Sequence, residues 1–199
     1  MAAFCIRVTK KTMFMVLGRR APAKDLLADQ YVFSRKHDGI RVRISCNGVL
    51  STRNGMILHP PWTYGTITHP LDGELCMRDA DAQGHARVMR AIHTAAWDTL
   101  IIRVFDHFPD KTDDSFIDRY NRLVKRFSSR IHPALQLVEQ HEFPSDGYVQ
   151  DYLHGLLDTC SSENCEGVVV RSKDGAYITT GKRDARVIFK VKNPAYESA

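Results

Sequence analysis

The sequence predicts an α+β fold in a single domain over residues 1–199, with antiparallel β-sheets and helices packed outside them. Short runs that alternate apolar and polar residues, or that are rich in β-branched residues, recur between Asn-Gly, Asp-Gly and Pro-Pro breaks and read as strands. Two longer stretches, 115–127 and 146–160, instead carry apolar residues at helical spacing. No internal repeat, low-complexity tract or clean linker divides the chain.

Residues 31–34 form a short strand leading into Lys36. Residues 41–46 alternate at period two, and Asn47-Gly48 is a two-residue hairpin turn before 49–52, so Arg41 and Arg53 share one hairpin. His59-Pro60-Pro61 marks a loop, since proline supplies no donor to a ladder. A strand follows at 70–77, then a polar helical stretch at 79–98 and a buried strand at 100–108 that Pro109 ends. In the helix at 115–127, Ser115 caps and Asp118 sits three residues on, while Phe116, Tyr120, Leu123, Val124 and Phe127 line one face. Residues 134–139 alternate like a strand, and 146–160 repeat the helical spacing with Val149, Tyr152, Leu153, Leu156 and Leu157. Two strands, 167–170 and 187–189, flank a Lys173-Asp174-Gly175 turn and a basic loop at Thr180-Gly181-Lys182-Arg183.

A length of 199 residues suits one well-buried core, and 43% hydrophobic with 26% charged residues is ordinary for a globular protein. No apolar run is long enough to span a bilayer, so no membrane partner is expected. The net charge of +5 favours polyanionic partners, although a basic face also serves solubility. It is clustered, with Lys10, Lys11, Arg19, Arg20 and Lys24 near the start and Lys182, Arg183, Arg186, Lys190 and Lys192 near the end. Cys5, Cys46, Cys76, Cys160 and Cys165 are odd in number and lack metal-ligand spacing, which points to reduced thiols in an intracellular, reducing compartment, cytoplasm or nucleoid. Residues 1–24 hold several bases and no acid, so an organelle-targeting peptide is one reading. The other is a lead-in segment around Met13-Phe14-Met15-Val16-Leu17.

The chemistry concentrates in Lys36-His37-Asp38-Gly39-Ile40-Arg41, a K-x-D-G-x-R pattern that by itself could be a solvated basic turn. Downstream, in order, come Thr52-Arg53-Asn54-Gly55, Leu71-Asp72-Gly73-Glu74-Leu75, Val104-Phe105-Asp106, Glu166-Gly167-Val168-Val169-Val170-Arg171 and Phe189-Lys190-Val191-Lys192. Together these motifs resemble the nucleotidyltransferase (adenylation) core of ATP-dependent DNA ligases, members of the covalent lysyl-NMP superfamily. The resemblance runs from residue 36 to 192 and implies a related, ATP-grasp-like arrangement with the nucleotide site between the sheets.

It also implies a reaction. Lys36 attacks the α-phosphate of ATP to form lysyl-AMP, AMP passes to a 5′-phosphate at a nick, and the 3′-hydroxyl displaces AMP to seal the strand. A lysine with a pKa of roughly 10.4 must lose its proton first, and nearby cations and a divalent metal favour that loss. On this reading Arg41 and Glu74 hold the ribose hydroxyls, Arg53 contacts phosphate, and Phe105 stacks on adenine. Lys190 and Lys192, two apart on a strand, reach one phosphate from the same face. Glu74 and Glu166 are the carboxylates available to Mg²⁺. Asp38 helps place the 3′-hydroxyl end of nicked duplex DNA, and Lys182, Arg183 and Arg186 meet the DNA. The plain alternatives are a surface lysine and arginine, strand-end glutamates, a core aromatic and a basic edge strand.

The Asp38 position and the glutamate at 166 favour a DNA ligase over an RNA ligase or a capping-type enzyme, which stay open as alternatives, as does a non-catalytic module that binds DNA nicks or ends. Ligases continue into an OB-fold domain, whereas this chain stops seven residues beyond Lys192, so that domain is expected to be absent and supplied by a separate domain or partner.

Overall fold

Two sheets are built on either side of the turn that carries Lys36. The computed structural model describes residues 25–64, 67–78, 84–108, 114–128, 132–162, 165–177, 187–194 and 196. Met13 to Leu17, the basic residues of 1–24 and the loop residues Lys182, Arg183 and Arg186 lie outside the described residues.

The chain runs through strands β1 (Tyr31–Arg35), β2 (Ile40–Ile44), β3 (Leu50–Thr52), β4 (Ile57–Leu58) and β5 (Leu71–Met77) to helix α1 (Gly84–His93). Strand β6 (Leu100–His107), helix α2 (Phe116–Phe127), strands β7 (Leu135–Leu137) and β8 (His141–Glu142), helix α3 (Val149–Ser162) and strands β9 (Gly167–Ser172) and β10 (Ile188–Lys192) follow. One sheet has the order β10-β9-β1-β8 and the other β4-β3-β2-β5-β6-β7.

Period-two patterning decides what each strand buries. In β2, Ile40, Val42 and Ile44 point into a core shared with Leu71 and Leu75 of β5, Leu100, Ile102 and Val104 of β6, Val88 and Ile92 of α1, and Leu123 of α2. A second core joins Tyr31, Val168, Val170 and Phe189 of the smaller sheet to Val149 of α3. Each sheet therefore covers one face with helices. The opposite faces, with Arg41 and Glu74 from one sheet and Val169, Arg171 and Lys190 from the other, line a cleft between the sheets.

The α+β class and the flanking helices agree with the sequence, and several details differ. Among the described residues the strand pairs are antiparallel except β6 with β7, where Ile102 lies beside Leu135 in parallel register because β7 returns through α2. The β2–β3 hairpin is closed by residues 45–49 rather than by Asn47-Gly48 alone, with Gly48 at φ 77° and the Ser45 amide donating to Val49 O at 3.0 Å. Helix α1 covers Gly84–His93, shorter than the 79–98 stretch, and a 3₁₀ turn at Trp97–Thr99 tucks Trp97 into the core. Ser115 does cap α2, accepting from the Asp118 amide, but Val124 is 44% exposed and Arg119 takes a buried place on that helix instead. No helix among the described residues is long and apolar enough to cross a membrane. Cys76, Cys160 and Cys165 are buried and Cys46 is exposed, all outside any disulfide.

Candidate active site

Lys36, His37, Asp38 and Gly39 form the connection by which the chain leaves the smaller sheet and enters the larger one. Its two ends are anchored separately. The Lys36 amide donates to Gly167 O of β9 at 2.7 Å, and Gly39 lies so close to β5 that a Cβ there would fall 3.0 Å from the Leu75 carbonyl carbon and nearer still to its oxygen. A side chain at 39 would push the turn off the larger sheet.

The cleft contains about 550 Å³ of empty space including its open mouth. It is lined by Lys36, Arg41, Glu74, Phe105 and Lys190, five of the residues singled out in the sequence, together with Ser34, Val169, Arg171 and Ile188. Arg53 stands at the exposed end of β3, its amide donating to Arg41 O at 3.1 Å, and lines an adjoining opening shared with Arg41, Glu74 and Lys190. Glu166, 8% exposed, pairs with Lys36 through Oε2 and with Lys192 through Oε1 at 3.6 Å. Lys190 and Lys192 thus serve one side of β10 while Phe189 packs into the core on the other.

Asp38 lies on the far side of Lys36, in a second cavity lined also by Cys76, Arg103, Glu166 and Tyr196. One of its oxygens accepts from the Gly84 amide at the start of α1 at 2.9 Å and from the Tyr196 hydroxyl at 3.0 Å. Glu74 and Glu166 line different cavities, both of which Lys36 also lines. Among the described residues no three His, Cys, Asp or Glu side chains gather at metal-binding spacing. A hard cation that arrives with a triphosphate needs only one or two protein carboxylates, and Glu166 beside Lys36 fits that demand.

Below the cleft lies an ionic network absent from the sequence reading. Asp72 and Asp106 are fully buried neighbours on β5 and β6, brought level by a bulge that leaves Phe105 out of register. Asp72 accepts from Arg41 Nε at 2.9 Å, from Arg41 Nη2, and from the Tyr177 hydroxyl at 2.7 Å. Asp106 accepts from Arg119 at 2.8 and 3.1 Å and from Arg171 Nη1 at 3.2 Å. Asp72, Asp106 and Arg171 fall inside the quoted motifs, where an acid within an apolar strand was the available signal. Arg119 and Tyr177 carry no such signal.

Burial and charge set the protonation states. Burial lowers the basicity of Arg41, but Asp72 more than offsets this and holds the guanidinium charged. The Glu74 carboxyl is pushed up by burial despite Lys190, Arg41 and Lys36 nearby. Lys190 is pushed down by burial and by Lys36, with Glu74 opposing the shift. His37, beside the lysine, is pushed down to about 3 by burial and by Arg103, Arg35 and Lys36, so its ring is neutral at physiological pH.

No protein-family model matches this chain. No curated protein matches it either. Solved structures do. A Lig E DNA ligase, described for DNA binding with a minimal scaffold, superposes with a TM-score of 0.73 at 24% identity over 90% of this chain and 68% of its own. Chlorella virus DNA ligase-adenylate gives 0.64 at 16% identity over 90% and 68%. Mycobacterial DNA ligase D complexed with ATP and MES gives 0.63 at 19% identity over 92% and 60%. The architecture is that of the nucleotidyltransferase (adenylation) domain of ATP-dependent DNA ligases. At these identities the likeness is one of fold.

Proposed function

We propose that this chain is an ATP-dependent DNA ligase adenylation domain in which Lys36 is the covalent nucleophile. The observation that carries the proposal is the convergence of Lys36, Arg41, Glu74, Phe105 and Lys190 on one cleft, with Glu166 paired to Lys36.

Phe105 offers a flat face to adenine. Arg41, fixed by Asp72, donates to a ribose hydroxyl, and Glu74 accepts from the other. Lys190 draws the α-phosphate toward Lys36. The Lys36 ammonium gives up its proton to Glu166 or through it to water, and the freed amine forms a nitrogen–phosphorus bond as the bond from the α-phosphorus to the pyrophosphate oxygen breaks. Pyrophosphate leaves with the electron pair. Mg²⁺ would supply neutralisation of phosphate charge, and Glu166 beside Lys36 and Glu74 across the cleft are the carboxylates that would hold it. A 5′-phosphate then displaces Lys36 from AMP, and the 3′-hydroxyl displaces AMP to join the strand. Arg53 contacts phosphate, and Asp38, Lys182, Arg183 and Arg186 serve the DNA. Such strand joining serves repair, replication and recombination.

The test supplies nicked duplex DNA, labelled ATP and Mg²⁺. Transfer of label to the 5′-phosphate followed by sealing is expected, with GTP and nicked RNA as the poorer donor and acceptor. Salt-sensitive binding of nicked DNA without covalent AMP, even with an OB-fold domain added, would make the chain a binding module instead.

A further inference from the structure

Arg171 stands on β9 against the Phe105 cleft and is 5% exposed. Its guanidinium is held from one side, where Nη1 donates to Asp106 at 3.2 Å, and its central carbon lies 5.0 and 4.9 Å from the ring centres of Phe105 and Phe116. Its Nε–H is buried and has no hydrogen-bond partner among the described residues. Buried N–H groups in folded proteins are almost always paired, and an unpaired one in the wall of a cleft is a donor that a ligand can satisfy.

The position along β9 indicates which part of a ligand that is. Gly167 accepts from the Lys36 amide and lies opposite Lys192, Val169 lies opposite Lys190, and Arg171 lies opposite Ile188. At about 3.3 Å per residue, Arg171 is roughly 13 Å further along the strand than the Lys36 end. Lys36 therefore stands at one end of the cleft, Lys190 midway, and Arg171, Ile188 and the Phe105 ring beside Arg171 at the other. That separation matches the length of a nucleotide laid with its α-phosphate at Lys36 and its base on Phe105.

We propose that Arg171 is a base-reading residue whose Nε–H donates to a ring nitrogen of the adenine seated against Phe105. The proposal rests on the adenylation reading above and adds the residue that recognises the base.

Equilibrium binding of ATP and of its 1-deaza, 3-deaza and 7-deaza analogues, each lacking one ring-nitrogen acceptor, tests it in the wild type, in Arg171→Lys and in Arg171→Met. The wild type should bind at least one analogue about tenfold more weakly than ATP, the scale of one hydrogen bond from a charged donor. Both variants should bind ATP and that analogue alike. A merely structural role would weaken ATP and all analogues by one common factor and leave the ratio between them intact, which would overturn the proposal. If neither variant folds, the wild type still decides, since equal affinity for ATP and all three analogues overturns it. Absence of ATP binding in the wild type would overturn the adenylation reading along with it, whereas a failure of discrimination alone removes only the role of Arg171.

Discussion

Replacing Asp72 with asparagine should destabilise the fold and loosen the nucleotide cleft together. The Asp72 side chain is fully buried and that of Arg41 is 9% exposed, so the guanidinium has little water to turn to once the carboxylate is gone. Breaking a buried ion pair from one side costs about 3–5 kcal/mol, because the surviving charge is left uncompensated. The Tyr177 hydroxyl also loses its charged acceptor. Tyr177→Phe removes only that one bond, worth about 1.5–3 kcal/mol, so it should rank below Asp72→Asn. Urea unfolding at pH 7 with linear extrapolation measures both. Arg41→Gln and the double variant complete a cycle, whose coupling energy should exceed about 1 kcal/mol. The reasoning fails if Asp72→Asn loses under about 1 kcal/mol, or if the two single effects simply add.

Asp106→Asn should cost at least as much as Asp72→Asn in the same urea assay, because it strips the shared carboxylate from both Arg119 and Arg171. His37 has a depressed folded-state pKa, so it contributes stability that is present above the ordinary histidine value of 6.5 and is lost as pH falls toward about 3. Its share of the slope is about 1.4 kcal/mol per pH unit across that window, and His37→Gln should flatten the acid limb of a stability–pH curve. For nucleotide affinity, the raised Glu74 carboxyl and lowered Lys190 ammonium set a bell. Binding should weaken below the Glu74 titration, above the usual carboxylate range, and again above that of Lys190, below the usual lysine range. In Glu74→Gln only the acid limb should vanish, as read by calorimetric titration across pH. Gly84→Ala should displace Asp38, since its Cβ would lie 2.7 Å from the Asp38 carboxyl carbon and closer to the backbone. A melting point unchanged to within a degree would contradict that clash.

Local chemistry was legible wherever a residue acts through its own strand or turn. The Lys36 turn, the hairpin carrying Arg41 and Arg53, the Ser115 cap and the buried run of β6 all follow from spacing alone. Features that depend on two distant segments were not. Asp38 is held by Gly84 and Tyr196, from positions 46 and 158 residues away. Arg119 faces inward because Asp106 draws it, although a charge on an amphipathic helix ordinarily marks the solvent side. The bulge that turns Phe105 and Asp106 together exists only in the pairing of β5 with β6. The parallel β6–β7 pair likewise depends on where the chain emerges from α2, which periodicity does not encode.

The most direct test of the central claim is the intact mass of the protein after incubation with ATP and Mg²⁺, in the wild type and in Lys36→Ala, followed by peptide mapping of any adduct. A gain of one AMP in the wild type only, mapped to the peptide containing Lys36, is the predicted result. An adduct on Lys190 or another lysine, equal labelling of Lys36→Ala, or no adduct in the presence of an added OB-fold domain would contradict it.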